Sequence, residues 1–264
     1  MILEKKTDIG LYRKNNEDFV HVCSHPDDPN MHLLMVADGM GGRKNGEIAS
    51  YTIVNSLYNY FIMNDVELFK DYDLLQTKLT NFIGYVNEEI IKRYGENTLG
   101  TTLCMAIVND DKTLILNIGD SRCYIYKDKL IQVTEDDSEV YAYYKNNLVK
   151  KDDLKFFSVS NLITRCVGLN NELCKCSFKI IDSDYKLLLI VTDGVTDILN
   201  DSKIEQIIEN TPSKNILDSI IREAVYNDQK LEIPEYLKEK YKEYLYKPMH
   251  GKDNASGAIY IKEN

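Results

Sequence analysis

An α+β fold in four layers, with two mainly antiparallel sheets face to face and helix pairs outside, is what this 264-residue chain predicts. Three observations carry that reading. Short apolar, β-branched runs follow one another with only tight turns between them, which argues for antiparallel pairing. Helical periodicity comes in two blocks and does not alternate with strands, which argues against βαβ units. The content is 44% hydrophobic and 28% charged, that of a soluble globular chain.

The elements follow in order. Residues 2–9, 17–24 and 31–37 read as short strands. Residues 47–62 set Ala49, Ile53, Leu57, Tyr60 and Phe61 on one helical face, and 73–94 do the same with Leu75, Leu79, Phe82, Val86 and Ile90. Strand-like runs return at 101–108, 113–118, 122–127 and 130–134, with Lys127-Asp128-Lys129 as a hairpin tip. Residues 135–160 are polar and tyrosine-rich, a surface subdomain. Strands resume at 175–182 and 186–192, helices at 203–209 and 214–226, and a final strand at 255–262. The segment 227–250 predicts a charged helix with Pro234 near its start, an exposed extension of the preceding helix, with docking of a partner as the alternative. No repeat or low-complexity linker divides the chain, so one domain over 1–264 is expected.

Composition excludes several classes. No apolar run approaches the roughly 18 residues of a membrane span, and the start, MILEKKTDIG, lacks a signal-peptide layout, so a cytoplasmic protein is expected. The net charge of −10 argues against nucleic-acid partners. The cysteines at 23, 104, 123, 166, 174 and 176 form no CxxC pair and read as free thiols in a reducing compartment.

The informative feature is an acidic residue at the end of an apolar run, repeated. Asp38-Gly39 follows HLLMVA, Gly119-Asp120 follows TLILNI, and Asp193-Gly194 follows KLLLIVT. Gly251-Lys252-Asp253-Asn254 precedes the last strand, and Arg13 precedes Asn15-Asn16-Glu17-Asp18. Clustered carboxylates repel, and a shared divalent cation removes that cost. Oxygen donors without clustered His or Cys select Mg²⁺ or Mn²⁺. A pair of such ions acidifies a shared water for attack on phosphorus. Asp38 is the candidate bridging carboxylate, Gly39 leaves room for its own carbonyl to approach a metal, and Arg13 suits a bidentate clamp on phosphate.

The blocks TDIGLYRKNNED (7–18), VADGMGGRKNGEIAS (36–50), GTTL (100–103), NIGDSRCYIYKDKLIQVTEDDS (117–138), LITRCVG (162–168), LLLIVTDGVTD (187–197) and GKDN (251–254) occur in that order. Together they resemble the bacterial branch of the metal-dependent Ser/Thr protein phosphatases, the protein phosphatase 2C family, over nearly the whole chain. The resemblance implies an α-β-β-α sandwich holding a dinuclear Mn/Mg centre, and hydrolysis of phosphoserine and phosphothreonine by a metal-bridging hydroxide. It implies that Asp38, Asp193 and Asp253 hold one ion, and that Glu17, Asp38 and the Gly39 carbonyl hold the other. By the same resemblance Arg13 binds the substrate phosphate, and Asp18 and Asn254 support the ligands. Asp120, with Asp193 and Asp197, matches a third metal site, and residues 138–162 match a mobile flap. The implied partners are phosphorylated Ser/Thr proteins, among them a Ser/Thr kinase, and the expected state is a monomer.

Departures from the family pattern touch no ligand. Met40 stands where some relatives carry a histidine, Asp136-Asp137-Ser138 where Asp-His-Ser is usual, and ASGAIYIK where the last strand is more β-branched. The 227–250 insertion is longer than expected. Two other classes compete. An aspartyl-phosphate phosphatase needs two Asp residues one apart, which the Thr192-Asp193-Gly194-Val195 stretch lacks. A non-catalytic phosphoprotein sensor would be expected to lose metal ligands, and here all are kept.

Overall fold

The computed structural model describes residues 1–40, 45–157, 162–227, 231–246 and 248–262. Its first strands are β1 (Ile2–Asp8), β2 (Asp18–His25) and β3 (Asp28–Met40). Two long helices follow, α1 (Gly46–Met63) and α2 (Tyr72–Tyr94). Next come β4 (Gly100–Thr101), β5 (Leu103–Val108), β6 (Lys112–Ile118), β7 (Arg122–Tyr126) and β8 (Leu130–Gln132). A short helix α3 (Glu139–Lys145) and a 3₁₀ turn (Lys151–Phe156) precede β9 (Ser177–Asp182) and β10 (Leu187–Val191). The chain closes with α4 (Asp193–Thr196), α5 (Asp201–Asn210), α6 (Ile216–Tyr226), α7 (Glu235–Tyr241) and β11 (Ala255–Ile261).

Local chemistry sets the helix ends. The Asp71 carboxylate accepts the Leu74 N–H at 3.1 Å and caps α2, whose last turn carries Lys92 and Arg93 against the helix dipole. Asn200 caps α5 in the same way, accepting the Lys203 N–H at 2.9 Å.

One sheet runs β1-β11-β10-β7-β8 and the other β2-β3-β5-β6-β9, with β4 pairing onto β3. The pairings are antiparallel, as the short connections predict. Period-two alternation sorts each strand between two cores. Leu33, Met35 and Ala37 of β3 meet Ile53 and Leu57 of α1 and Leu79 and Ile83 of α2. Leu34 and Val36 face the opposite sheet, where Leu188 and Ile190 of β10 lie. Leu187, Leu189 and Val191 turn outward onto Ile204 of α5 and Ile220 and Ile221 of α6. The result is the predicted four-layer sandwich. Each such fully buried aliphatic side chain contributes about 1.5–3 kcal/mol of transfer free energy.

The segment after α6 corrects the sequence reading. It is not an exposed extension of that helix: α6 ends at Tyr226, and α7 spans only Glu235–Tyr241. Leu237 is 0% exposed, packed with Val140, Tyr141, Leu154, Phe156 and Phe157 of the 139–157 region. The Tyr246 N–H donates to the Phe156 carbonyl at 2.6 Å, and Phe157 bridges to Leu245. The charged sequence hides a few apolar anchors, spaced to cover a partner rather than to continue a helix. Of 227–250, residues 228–230 and 247 lie outside the described residues, as do 158–161 of the flap.

Candidate active site

The alternation that builds the inter-sheet core also delivers the acids. Leu34, Val36 and Asp38 share one face of β3, so Asp38 stands where the packed interface runs out at its edge. Asp18 lies directly across from it in the β2–β3 register. Two like charges so placed repel. Around Asp38 the backbone is fixed by threonines. Its N–H donates to Thr102 Oγ1 at 2.9 Å, and its carbonyl accepts from the Thr102 N–H and from Thr101 Oγ1, both at 2.9 Å.

The other sheet brings Asp193 and Asp253. Thr192, just past β10, donates its hydroxyl to Asp18 Oδ2 at 3.0 Å and accepts the Ser256 N–H at 3.0 Å, joining the two sheets. Asp193 then opens α4. Gly194 follows because a Cβ there would lie 1.9 Å from the Asn254 carbonyl oxygen. Asn254 ties three segments together. It accepts the Glu17 N–H at 2.9 Å and donates to the carbonyls of Ile9 at 2.9 Å and Asn15 at 3.1 Å. Its own N–H donates to Asp253 Oδ1 at 2.8 Å.

Glu17 reaches the start of α1, accepting the Gly46 N–H at 3.3 Å, where the helix dipole favours a carboxylate. Gly39 lies between Glu17 and Gly46. A Cβ on it would lie 2.4 Å from the Gly46 carbonyl oxygen and 2.5 Å from that of Glu17, so backbone crowding is a further reason for glycine here. Arg13 donates from Nη2 to Asp253 Oδ2 at 2.6 Å, with Nη1 3.9 Å from Glu17 Oε2. Its side chain is 44% exposed at the mouth of the cleft.

Electrostatics mark this rim as unbalanced. Burial, then Asp193 and Asp18, push the Asp38 carboxyl well above the usual carboxylate range. Burial, then Asp253, raise Asp193. Burial lifts Asp18 to about 7, with Asp193 adding to it. Burial raises Glu17 as well. On Arg13, burial favours the neutral form, but Asp253, Asp38 and Glu17 together outweigh it and hold the proton more tightly. Asp18 Oδ1 and Asp193 Oδ1 are buried and accept no hydrogen bond among the described residues. Such orphaned, mutually repelling oxygens fit a hard cation. Among the described residues no three His, Cys, Asp or Glu side chains are drawn together closely enough to hold a metal ion by themselves.

Asp193 also belongs to a second acidic cleft. Asp120, in the β6–β7 turn, and Asp197, just after α4, line it with Lys151, Asp152 and Lys155 from the flap region. Burial, then Asp193, push both Asp120 and Asp197 far up. Lys155 donates to the Ile198 carbonyl at 3.0 Å, and burial lowers its pKa. In the same cleft Arg122 forks onto Asp136, with Nε at 2.9 Å and Nη2 at 2.6 Å from Oδ2. The Asp136-Asp137-Ser138 departure thus has structural partners, since Asp137 Oδ2 accepts the Gly119 N–H at 3.1 Å.

The candidate site residues Arg13, Glu17, Asp18, Asp38, Gly39, Asp120, Asp193, Asp197, Asp253 and Asn254 therefore lie around Asp38 and Asp193 or in the adjoining cleft. Sequence reasoning missed the roles of Thr102, Thr192, Arg122 and Lys155. The signal for two of them was legible, because Thr102 and Thr192 abut acid-bearing strand ends.

Two facing antiparallel sheets between helix pairs, with acids and one arginine gathered at the open edge, define the phosphatase class of α-β-β-α sandwich. The chain belongs to the protein phosphatase 2C family, whose model matches residues 13–229. It is 31% identical over 216 residues to the serine/threonine phosphatase stp of Listeria monocytogenes serotype 4b, covering 80% of this chain and 84% of that protein. The fold is similar to the crystal structure of serine/threonine phosphatase Stp1 from Staphylococcus aureus, with a TM-score of 0.81 and 26% identity over 100% of this chain and 96% of that one. It is also similar to the catalytic domain of the phosphatase PstP in complex with two manganese ions, with a TM-score of 0.74 and 22% identity over 98% and 96% of the two chains.

Proposed function

We propose that the chain is a Mn²⁺- or Mg²⁺-dependent protein serine/threonine phosphatase, acting on phosphoserine and phosphothreonine residues of proteins. The observation that carries this is the gathering of Asp38, Asp193 and Asp253 beside Arg13, with Asp193 Oδ1 buried and accepting no hydrogen bond among the described residues. Glu17, Asp38 and the Gly39 carbonyl would hold one ion, and Asp38, Asp193 and Asp253 the other. Asp120, Asp193 and Asp197 would hold a third. The catalytic domain of PstP, whose fold this chain shares, is in complex with two manganese ions. When bound, the ions supply Lewis acidity, lowering the pKa of water and neutralising phosphoryl charge.

The chain's own residues perform the rest. Arg13, held near Asp253 and Glu17 and partly open to solvent, presents a planar donor pair to the phosphate. Thr102 and Thr192 keep Asp38 and Asp18 in position. Asn254 binds the N-terminal segment to β11, so that Glu17 and Asp253 keep their spacing. In the reaction water adds to phosphorus, the bond from phosphorus to the Ser or Thr oxygen breaks, and that oxygen takes a proton. No side chain becomes phosphorylated. A Ser/Thr kinase among the substrates, a monomeric state, a cytoplasmic location and one catalytic domain over 1–264 belong to the same reading. No helix among the described residues is long and apolar enough to cross a membrane.

The test is phosphate release from a phosphothreonine peptide, with and without Mn²⁺, comparing the wild type with Asp38→Asn. Release by the wild type that requires Mn²⁺ and is lost in the variant is expected. Equal turnover by both proteins would refute the site.

A further inference from the structure

The family model stops at residue 229, and the segment from 231 to 249 lies beyond it. The described residues of that segment form a strap fixed at both ends. Leu231 packs at the border of the α6 core and the flap cluster. His250 Nδ1 lies 3.1 Å from the Glu223 and Ala224 carbonyls of α6. Between them Leu237 and Leu245 seat the strap on the flap region, and Tyr241 stacks edge-on against Phe157 at 5.3 Å.

The far end of the strap turns to the proposed phosphate end. Tyr246, Pro248 and Met249 line a groove together with Ile198, Arg13 and Asp253. Lys252 lies 4.1 Å over the Tyr246 ring and hydrogen-bonds its hydroxyl, so the tyrosine wall is braced from the residue next to Asp253. Met249 is 45% exposed at the lip. Resting on the proposed phosphatase reading, we propose that this groove is a specificity subsite, taking an apolar side chain adjacent to the phosphoserine or phosphothreonine of a protein substrate. Its continuity with Arg13 and Asp253 places the occupant next to the phosphate. Its charged residues balance, Arg13 and Lys252 against Asp197 and Asp253, so an ionised neighbour of either sign gains no net attraction to offset its desolvation, whereas an apolar one packs against Ile198, Pro248 and Met249.

The experiment uses full-length chain with Mn²⁺ and phosphothreonine peptides that differ only in the two flanking residues, Leu, Gly, Asp or Lys. para-Nitrophenyl phosphate, an ester with no flanking residue, is the reference for each protein. The wild type should favour Leu over Asp by about tenfold in kcat/KM on at least one flank. Met249→Asp and Tyr246→Ala should bring that ratio toward one, read against each variant's own turnover of the reference ester. Melting curves identify a misfolded variant, in which case the other decides. Leu and Asp peptides within twofold of each other in the wild type would overturn the subsite, as would an intact preference in both variants. Wild type that releases phosphate from neither peptide nor reference ester would instead strike the phosphatase reading itself.

Discussion

Two groups of ionised side chains share one end of this sandwich and meet burial in opposite ways. Arg122 and Asp136 are almost fully buried and satisfy one another through a bidentate fork. Asp18, Asp38 and Asp193 are massed without a salt-bridge partner among the described residues, and two of their oxygens accept no hydrogen bond there. The first group is complete as folded. The second is destabilising unless something positive arrives. Compensated charge reads as architecture, and uncompensated charge as a binding site.

Five measurements break or sharpen that contrast. Asp38→Asn should lower Mn²⁺-dependent turnover on the order of 10³-fold or more, about 4 kcal/mol of transition-state stabilisation. The same variant should melt at or above the wild-type temperature in EDTA, because a repelling charge is gone. A large fall in melting temperature would mean that the acid is structural after all. Arg122→Ala should do the reverse, costing about 3 kcal/mol of stability by stranding the Asp136 carboxylate. Denaturant melts that leave the midpoint unmoved would erase the distinction between the two groups.

Asn254→Ala should weaken Mn²⁺ binding by roughly tenfold or more, seen by calorimetry, because supporting residues position the ligands. Unchanged affinity would show that Glu17 and Asp253 need no tether. The smallest effect is on pH. Asp18 titrates near 7 in the folded chain against about 4 unfolded, so the native state binds the extra proton. Stability in EDTA is therefore greatest at low pH and falls as pH rises from about 4 to 7. Mn²⁺ should flatten that slope. A metal-free protein whose melting temperature rises over this window would contradict the raised carboxyls.

Much of this was legible in the residues. The alternation in HLLMVA and KLLLIVT fixed strands whose two faces go to different cores, and so committed Asp38 to the end of the inter-sheet face. The helical stripes of α1 and α2 were visible as spacing. The strap was not. Its charged composition suggested an exposed helix, and only folding showed that Leu237 and Leu245 are spent on the flap. Arg122 was equally silent, since its partner is set by the β7–β8 turn.

Local pattern, being a property of neighbouring residues, determined the strands, the helices and which residue types end each run. Convergence was decided elsewhere. Arg13, Glu17, Asp38, Asp193 and Asp253 meet because two sheets stack and Asn254 and Thr192 bind distant strands together. That information lies in contacts between segments up to 245 residues apart, where burial strengthens every charge and sequence spacing carries no distance.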